Sequence, residues 1–256
     1  FLFAFLNPDH EEKVAEVLRE RAPNIAISLS SEIQPEFREY ERLSTTVLNA
    51  YLQPVMGKYL HTLEQGVAAH APGAALGINQ SSGGLMSPQR ARELPVRTAL
   101  SGPAAGAVGA AYAARQTGRN KVITLDMGGT SADVAMIRDF RVDLTFDRNV
   151  AGFPIRLPCV DVETVGAGGG SIAWFDRDEL LKAGPISAGA DPGPACYALG
   201  GKQPTVTDAN LLLGRLSSRG LLDGDMELDL ALSREAYKPL AEKLGFTLER
   251  TAHGLL

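Results

Sequence analysis

Leu125-Asp126-Met127-Gly128-Gly129-Thr130-Ser131-Ala132-Asp133 decides how this chain is read. Lys121 to Asp126 predicts a strand that ends in an acid, and Met127 to Thr130 a tight turn. Asp133 to Ile137 predicts the returning strand, and Arg141 to Asp147 a third. Strand, turn, strand, turn, strand is an antiparallel start rather than a βαβ unit. Paired glycines let successive backbone N–H groups approach a phosphate, because no Cβ stands in the way. Thr130 and Ser131 add hydroxyl donors. Asp126, at the strand end, is placed to hold Mg²⁺ directly or through water, and Asp133 is a second metal or water ligand. The stretch is not a Walker A loop, since no Gly-Lys-Ser/Thr follows. It is not a dinucleotide fingerprint, since a strand follows where a helix is required. A hairpin turn that uses glycine for its backbone angles alone is the competing explanation.

A second glycine loop follows at Val165-Gly166-Ala167-Gly168-Gly169-Gly170-Ser171. Four glycines in five positions cost backbone entropy on folding, which points to a close approach of this backbone to a nucleotide or substrate. A flexible surface loop is the alternative. Ser101-Gly102-Pro103 leads into a helix of alanine and glycine over 104–115, where Gly106 and Gly109 predict a closely packed neighbour. The free N–H groups at its start offer one more place for a phosphate.

Outward from these loops, the spacing predicts a helix over 11–22 stopped by Pro23, and a strand at Ile25 to Leu29. Pro35 opens a long helix. Its apolar residues Val47, Leu48, Tyr51, Leu52, Val55, Met56, Tyr59, Leu60 and Leu63 predict one buried face, with a kink or break at Pro54. Residues 70–75 read as a connector, Ala75 to Asn79 as a strand, and Gln80 to Gly84 as a loop. Residues 184–204 read as an ordered excursion rich in Gly and Pro. Asp208 to Leu216 predicts a helix capped by Thr207 or Asp208, and Ser233 caps another over 234–244 that ends at Gly245.

The chain has 256 residues, with 25 Lys+Arg against 30 Asp+Glu and a formal net charge of −5. That balance argues against a nonspecific binder of nucleic acid or anionic membranes. No apolar run approaches the roughly 18 residues of a membrane span. Two cysteines, Cys159 and Cys196, are too few for a disulfide scaffold and fit a reducing compartment, so a cytoplasmic location is expected. His10, His61, His70 and His253 have no spacing that suggests a shared metal site. Cys196 has no adjacent histidine and reads as packing rather than a nucleophile. Asp191 reads as a turn acid or cleft residue, and Trp174 and Phe175 as core or interface residues.

Several longer stretches carry a resemblance. They include Asn7-Pro8-Asp9-His10-Glu11, Arg38-Glu39-Tyr40-Glu41-Arg42, Gln53-Pro54-Val55-Met56 and Ser101-Gly102-Pro103-Ala104. The strongest are the loops 125–133 and 165–174 and the run Ser187-Ala188-Gly189-Ala190-Asp191-Pro192-Gly193-Pro194-Ala195-Cys196-Tyr197. Pro204-Thr205-Val206-Thr207-Asp208-Ala209-Asn210 also fits. Together they resemble the hydantoinase A / 5-oxoprolinase family, which includes subunits of ATP-dependent hydantoinases and acetone-type carboxylases.

The resemblance implies an α/β lobe of the actin, Hsp70 and sugar-kinase type (ribonuclease H-like), with a mixed sheet, antiparallel hairpins and flanking helices. It implies a helical connecting region over 1–70 and a nucleotide-binding lobe over 71–256. The partner lobe, with a further Asp-Gly-Gly-Thr-like hairpin, is not found before Asp126, so the chain is expected to be a fragment of a two-lobe protein. ATP and Mg²⁺ are the implied cofactors. Gly128, Gly129, Thr130 and Ser131, with Gly166, Gly168, Gly169 and Gly170, are the expected nucleotide contacts. Asp126 and Asp133 are the expected metal ligands. Asp126, Asp133 and Glu163 are the expected catalytic residues, Glu163 standing where the family usually carries histidine.

The implied activity is ATP-dependent hydrolysis of a small cyclic amide through phosphorylation of its carbonyl, with a hydantoinase B-type partner subunit. Three alternatives stand beside it: a non-catalytic nucleotide-binding or scaffolding subunit, a small-molecule kinase, and an acetone-type carboxylase subunit. Self-association into a homo-oligomer is expected where lobe contacts would leave apolar surface uncovered.

Overall fold

A computed structural model describes residues 1–217, 219–220 and 226–256. The chain opens with helix α1 (Asp9–Arg21), the one-turn α2 (Ser30–Ile33) and the long α3 (Glu39–His70). Short strands β1 (Ile78–Asn79) and β2 (Leu85–Met86) precede α4 (Pro88–Glu93) and α5 (Ser101–Thr117). Then come β3 (Lys121–Met127), β4 (Ala132–Arg138), β5 (Arg141–Val142) and β6 (Leu144–Thr145). They are followed by β7 (Arg148–Val150), β8 (Phe153–Ile155), β9 (Cys159–Val160) and β10 (Val162–Val165). The chain closes with β11 (Ser171–Phe175), β12 (Leu181–Ser187), α6 (Val206–Leu212), α7 (Leu230–Leu244) and α8 (Leu248–Leu255). The architecture is α/β with small sheets. β10, β4 and β3 pair in that order with β5 on β4, and β1–β2, β6–β9, β7–β8 and β11–β12 form two-stranded ribbons.

The chain divides into two compact units. The first takes Phe1–Thr124 and Ala135–Val162, and the second takes Leu125–Val134 and Glu163–Leu256. In the first, Ile33, Leu94, Val96, Ile155, Leu157 and Cys159 form a core. A second cluster packs Ala104 and Ala107 of α5 on Ala135, Val160 and Val162. In the second unit, Tyr237 and Ala252 pack with Ala173, Ala209 and Leu240.

Helix α3 passes through Pro54 without a break, and the apolar face read from spacing is covered only in part, with Leu48 packed on one core and Met56, Leu60 and Leu63 on another. Leu60 is buried, but Val47, Tyr51, Val55 and Tyr59 are exposed. The buried positions in its first half are Arg42, Thr45, Thr46 and Asn49. Each finds partners that hydropathy does not show. Asn49 donates to the carbonyl of Glu93 (2.9 Å) and accepts from the N–H of Val96 (3.2 Å). Arg42 donates to the carbonyls of Phe1, Leu2 and Glu36. Buried polar groups persist where such bonds replace water.

Ile25 to Leu29 forms no strand, because a short β-branched run without a strand partner cannot complete its ladder. The expected third strand at Arg141 to Asp147 is split into β5 and β6. Helix α6 is capped by Thr205 in a reciprocal box with Asp208, and α7 by Asp229 rather than Ser233. Gly106 and Gly109 have nothing within 4 Å of where a side chain would start, so α5 packs tightly on its alanine face and not on its glycines. No helix among the described residues is long and apolar enough to cross a membrane.

Candidate functional site

The predicted hairpin closes where the N–H of Gly128 donates to the carbonyl of Ser131 (2.9 Å). Counting back from that bond, Asp126 and Asp133 stand opposite each other on the two strands. The second glycine loop lies directly against this turn, and all of these groups belong to the second unit. Gly169 N–H donates to the carbonyl of Gly128 (2.9 Å), and Gly170 N–H to that of Gly129 (2.6 Å).

The glycines are required by this contact. A Cβ on Gly168 would stand 2.6 Å from the nitrogens of both Thr130 and Ser131. One on Gly170 would stand 2.9 Å from the Gly129 carbonyl, and one on Gly169 2.8 Å from Thr207 Oγ1. The close approach that Gly168 and Gly170 permit is therefore to the first loop, and the one that Gly169 permits is to Thr207. Gly166 is different, with Pro185 Cβ as its nearest neighbour at 3.3 Å.

Peptide planarity converts the two inter-loop bonds into a direction. In a trans peptide the C=O and N–H point opposite ways. With the Gly128 and Gly129 carbonyls turned toward the second loop, the N–H groups of Gly129 and Thr130 turn away from it together. Among the described residues no acceptor meets either N–H, and Gly129 has open space beside it. Two adjacent N–H groups aimed one way form an anion-binding concavity. Thr130 Oγ1 lies 3.4 Å from Ser187 Oγ, which also accepts from Gly189 N–H (3.1 Å), so two hydroxyls border the turn.

The acids are held differently. Asp133 accepts from Thr164 Oγ1 (2.6 Å), which fixes its carboxylate, whereas Asp126 is exposed. Glu163 is also exposed, and no hydrogen bond among the described residues joins its side chain to the two loops. No group of three or more His, Cys, Asp or Glu side chains there could hold a metal by itself. Asp126 and Asp133 fit a cation that takes most of its ligands from water and phosphate, as Mg²⁺ does.

Cys196 is buried, and its thiol is pushed up to about 12, by burial first and by the Asp208 carboxylate second. It is a packed thiol and not a thiolate nucleophile. Trp174 is 40 % exposed rather than core, and its indole N–H donates to the Gly184 carbonyl (2.7 Å).

Two residues join the site only through the fold: Ser187, to which the sequence assigns no role, and Thr207, which it offers as a helix cap. Ser187 and Thr207 sit in quoted stretches, but only the fold brings them to the glycines. Thr207 donates to the Gly169 carbonyl through both its N–H (2.7 Å) and its Oγ1 (2.8 Å). The capping pattern Thr205-x-x-Asp208 was the available signal for the helix start that places it.

The caprolactamase subunit alpha of Pseudomonas jessenii is 41 % identical over 260 residues, which cover 100 % of this chain and 37 % of that one. A 5-oxoprolinase of Saccharomyces cerevisiae is 37 % identical over 269 residues, covering 100 % of this chain and 20 % of the enzyme. The crystal structure of the ATP-dependent caprolactamase from P. jessenii matches with a TM-score of 0.80, over 99 % of this chain and 37 % of that one. A nucleotide-free structure of acetone carboxylase also gives 0.80, at 30 % identity, over 99 % of this chain and 36 % of that one. The chain thus spans well under half the length of these relatives. The family model for hydantoinase/oxoprolinase matches residues 42–256. On these matches the chain belongs to the hydantoinase/oxoprolinase family.

Proposed function

We propose that this chain is the phosphate-binding portion of an ATP-dependent enzyme that hydrolyses a cyclic amide. The observation that carries it is the pair of outward N–H groups at Gly129 and Thr130, held by bonds on their opposite sides. Those amides, with the Thr130 hydroxyl and the border formed by Ser131 and Ser187, would bind phosphate oxygens. Asp126 and Asp133 would hold Mg²⁺, Asp133 in the orientation set by Thr164. When bound, ATP supplies the phosphoryl group that activates an amide carbonyl for ring opening. Gly168, Gly169 and Gly170 act from behind the turn by fixing it, and Gly166 is the member of that loop left to face ligand. Exposed Glu163 is the candidate proton acceptor.

In this reading 71–256 is a nucleotide lobe of the actin and sugar-kinase type, 1–70 is its helical connecting region, and a second lobe completes the cleft. The protein works in the cytoplasm with a B-type subunit. That partner is suggested by relatives that are themselves subunits, such as the caprolactamase alpha chain and the acetophenone carboxylase gamma subunit. A carboxylase is the second reading, favoured by the equal TM-score against acetone carboxylase.

Titration calorimetry with ATP·Mg²⁺ tests the site. Binding is expected, with Thr130→Ala and Asp126→Asn each weakening it about tenfold or more, the worth of one charge-assisted contact. Absence of heat from the wild-type protein, in the presence of its partner subunit, would reject the proposal. Phosphate release that depends on a lactam, and not on a ketone with bicarbonate, would separate hydrolase from carboxylase.

A further inference from the structure

Asp208 is fully buried, and among the described residues no cation pairs with it. Its carboxylate is instead saturated by donors. Oδ2 accepts from the N–H groups of Ala195 (3.2 Å) and Thr205 (3.1 Å) and from Thr205 Oγ1 (2.7 Å). Oδ1 accepts from Cys196 N–H (2.9 Å) and Ser233 Oγ (2.7 Å). Tyr237 adds a bond from its hydroxyl to the Thr205 carbonyl (2.8 Å). A buried carboxylate with five donors ties together three pieces of chain: the turn at 195–196, the start of α6, and α7. Removing any one donor leaves a charge underserved, so the start of α6 has little freedom.

Thr207 is the residue next to that hub, and it faces the other way. Its N–H and hydroxyl both donate to one oxygen, the carbonyl of Gly169. The N–H of the same Gly169 donates to the Gly128 carbonyl. The Gly169 carbonyl shares its peptide with the Gly170 N–H, which donates to the Gly129 carbonyl, so the bonds run in series from Asp208 through the α6 backbone to Thr207, Gly169 and Gly170, and on to the Gly128 and Gly129 carbonyls. By the planarity argument, fixing the Gly128 and Gly129 carbonyls also fixes the Gly129 and Thr130 N–H groups, which point the opposite way.

We infer that Thr207 is a positioning residue for the phosphate hairpin: anchored by the Asp208 hub, it fixes Gly169 and so holds the Gly129 and Thr130 N–H groups in their outward direction. It touches no ligand. The first-turn N–H groups of α6 at Thr207 and Asp208 are spent on the Gly169 carbonyl and on Thr205 Oγ1. The inference rests on the nucleotide reading of the hairpin.

Thr207→Val keeps the shape and the N–H donor and removes only the hydroxyl; Thr207→Ser restores the hydroxyl. Hydrogen exchange of the 128–131 and 167–171 amides, measured without nucleotide, reads the relay directly. Loss of one bond is expected to speed exchange at Gly169 and Gly170 about tenfold in the Val variant and to leave the Ser variant like wild type. ATP·Mg²⁺ affinity, read by calorimetry, is expected to fall about tenfold in Val and to recover in Ser. Unchanged exchange in Val overturns the inference, and so does faster exchange with wild-type affinity. If the wild-type protein itself binds no ATP, the functional reading falls. The link from Thr207 to the hairpin then stands or falls on the exchange rates alone.

Discussion

Helix α5 and the loop 166–170 are both rich in glycine, yet the two use it in opposite ways. In the loop, side chains at 168, 169 and 170 would each meet another group at less than 3 Å. In the helix, side chains at Gly102, Gly106 and Gly109 would meet nothing within 4 Å. The loop's glycines are spent on contacts inside the chain, with backbone of the hairpin at Gly168 and Gly170 and with the Thr207 hydroxyl at Gly169. The helix's glycines cost propensity and return no packing, because α5 buries Ala104, Ala107, Ala111 and Ala114 instead. Glycine density alone therefore does not locate a ligand; what matters is what stands where the side chain would be.

The strongest test of that contrast is Gly168→Ala. Its Cβ would collide with three backbone atoms of Thr130 and Ser131 at 2.6 Å, and backbone in a tight turn cannot rotate aside. A loss of about 3 kcal/mol or more is expected in denaturant unfolding, at the upper end for overpacking. A midpoint equal to wild type would mean that the loops do not pack as closely as described. Gly170→Ala comes next. There one of the two groups at 2.9 Å is Ser187 Oγ, which can turn away, so about 1–2 kcal/mol is expected in the same measurement. A Gly170 variant less stable than the Gly168 variant would reverse the ranking and fault the account.

Both loops were legible from composition, because paired and clustered glycines between strand-like runs are a local signal. Their contact was not, since the bond from Gly169 to Gly128 joins positions 41 apart and no local pattern encodes it. The same limit applies to α3. Its length and helicity follow from spacing, but the buried face is chosen by Asn49 meeting Glu93 and Val96, and by Thr45 Oγ1 accepting from Arg156 N–H. Hydrogen-bond geometry outweighed hydrophobicity in that first half, where Val47 and Tyr51 stay outside, as Val55 and Tyr59 do further on, while Leu48, Met56, Leu60 and Leu63 of the same stripe pack inward. Helix caps were misplaced by a few residues for a simpler reason. Ser, Thr and Asp cluster at 205–208 and 229–233, and only the backbone angles show which one caps. Asp208 takes part in the cap of α6 and is also a buried hub, a role that depends on donors from 195, 196 and 233.

On the helix side of the contrast, Gly106→Ala is expected to stabilise the chain by about 0.5–1 kcal/mol, the propensity difference with no steric charge against it. Chemical denaturation checks it. A destabilised variant would show that the face through Gly106 is not open.

Gly166→Ala has the smallest expected effect and separates the two uses of glycine within one loop. Its Cβ would come 3.3 Å from Pro185 Cβ, so that side chain need give way by only a few tenths of an ångström. Its φ is not in the left-handed region, so the added methyl brings no backbone strain. Stability within about 0.5 kcal/mol of wild type is expected. Gly166 is also the glycine of this loop whose neighbour is neither the hairpin nor Thr207. If its bare Cα faces nucleotide, the methyl should lower ATP·Mg²⁺ affinity while the unfolding midpoint stays put. If affinity and midpoint are both unchanged, the second loop serves only to brace the first, and ligand contact belongs to the Gly128–Ser131 turn alone.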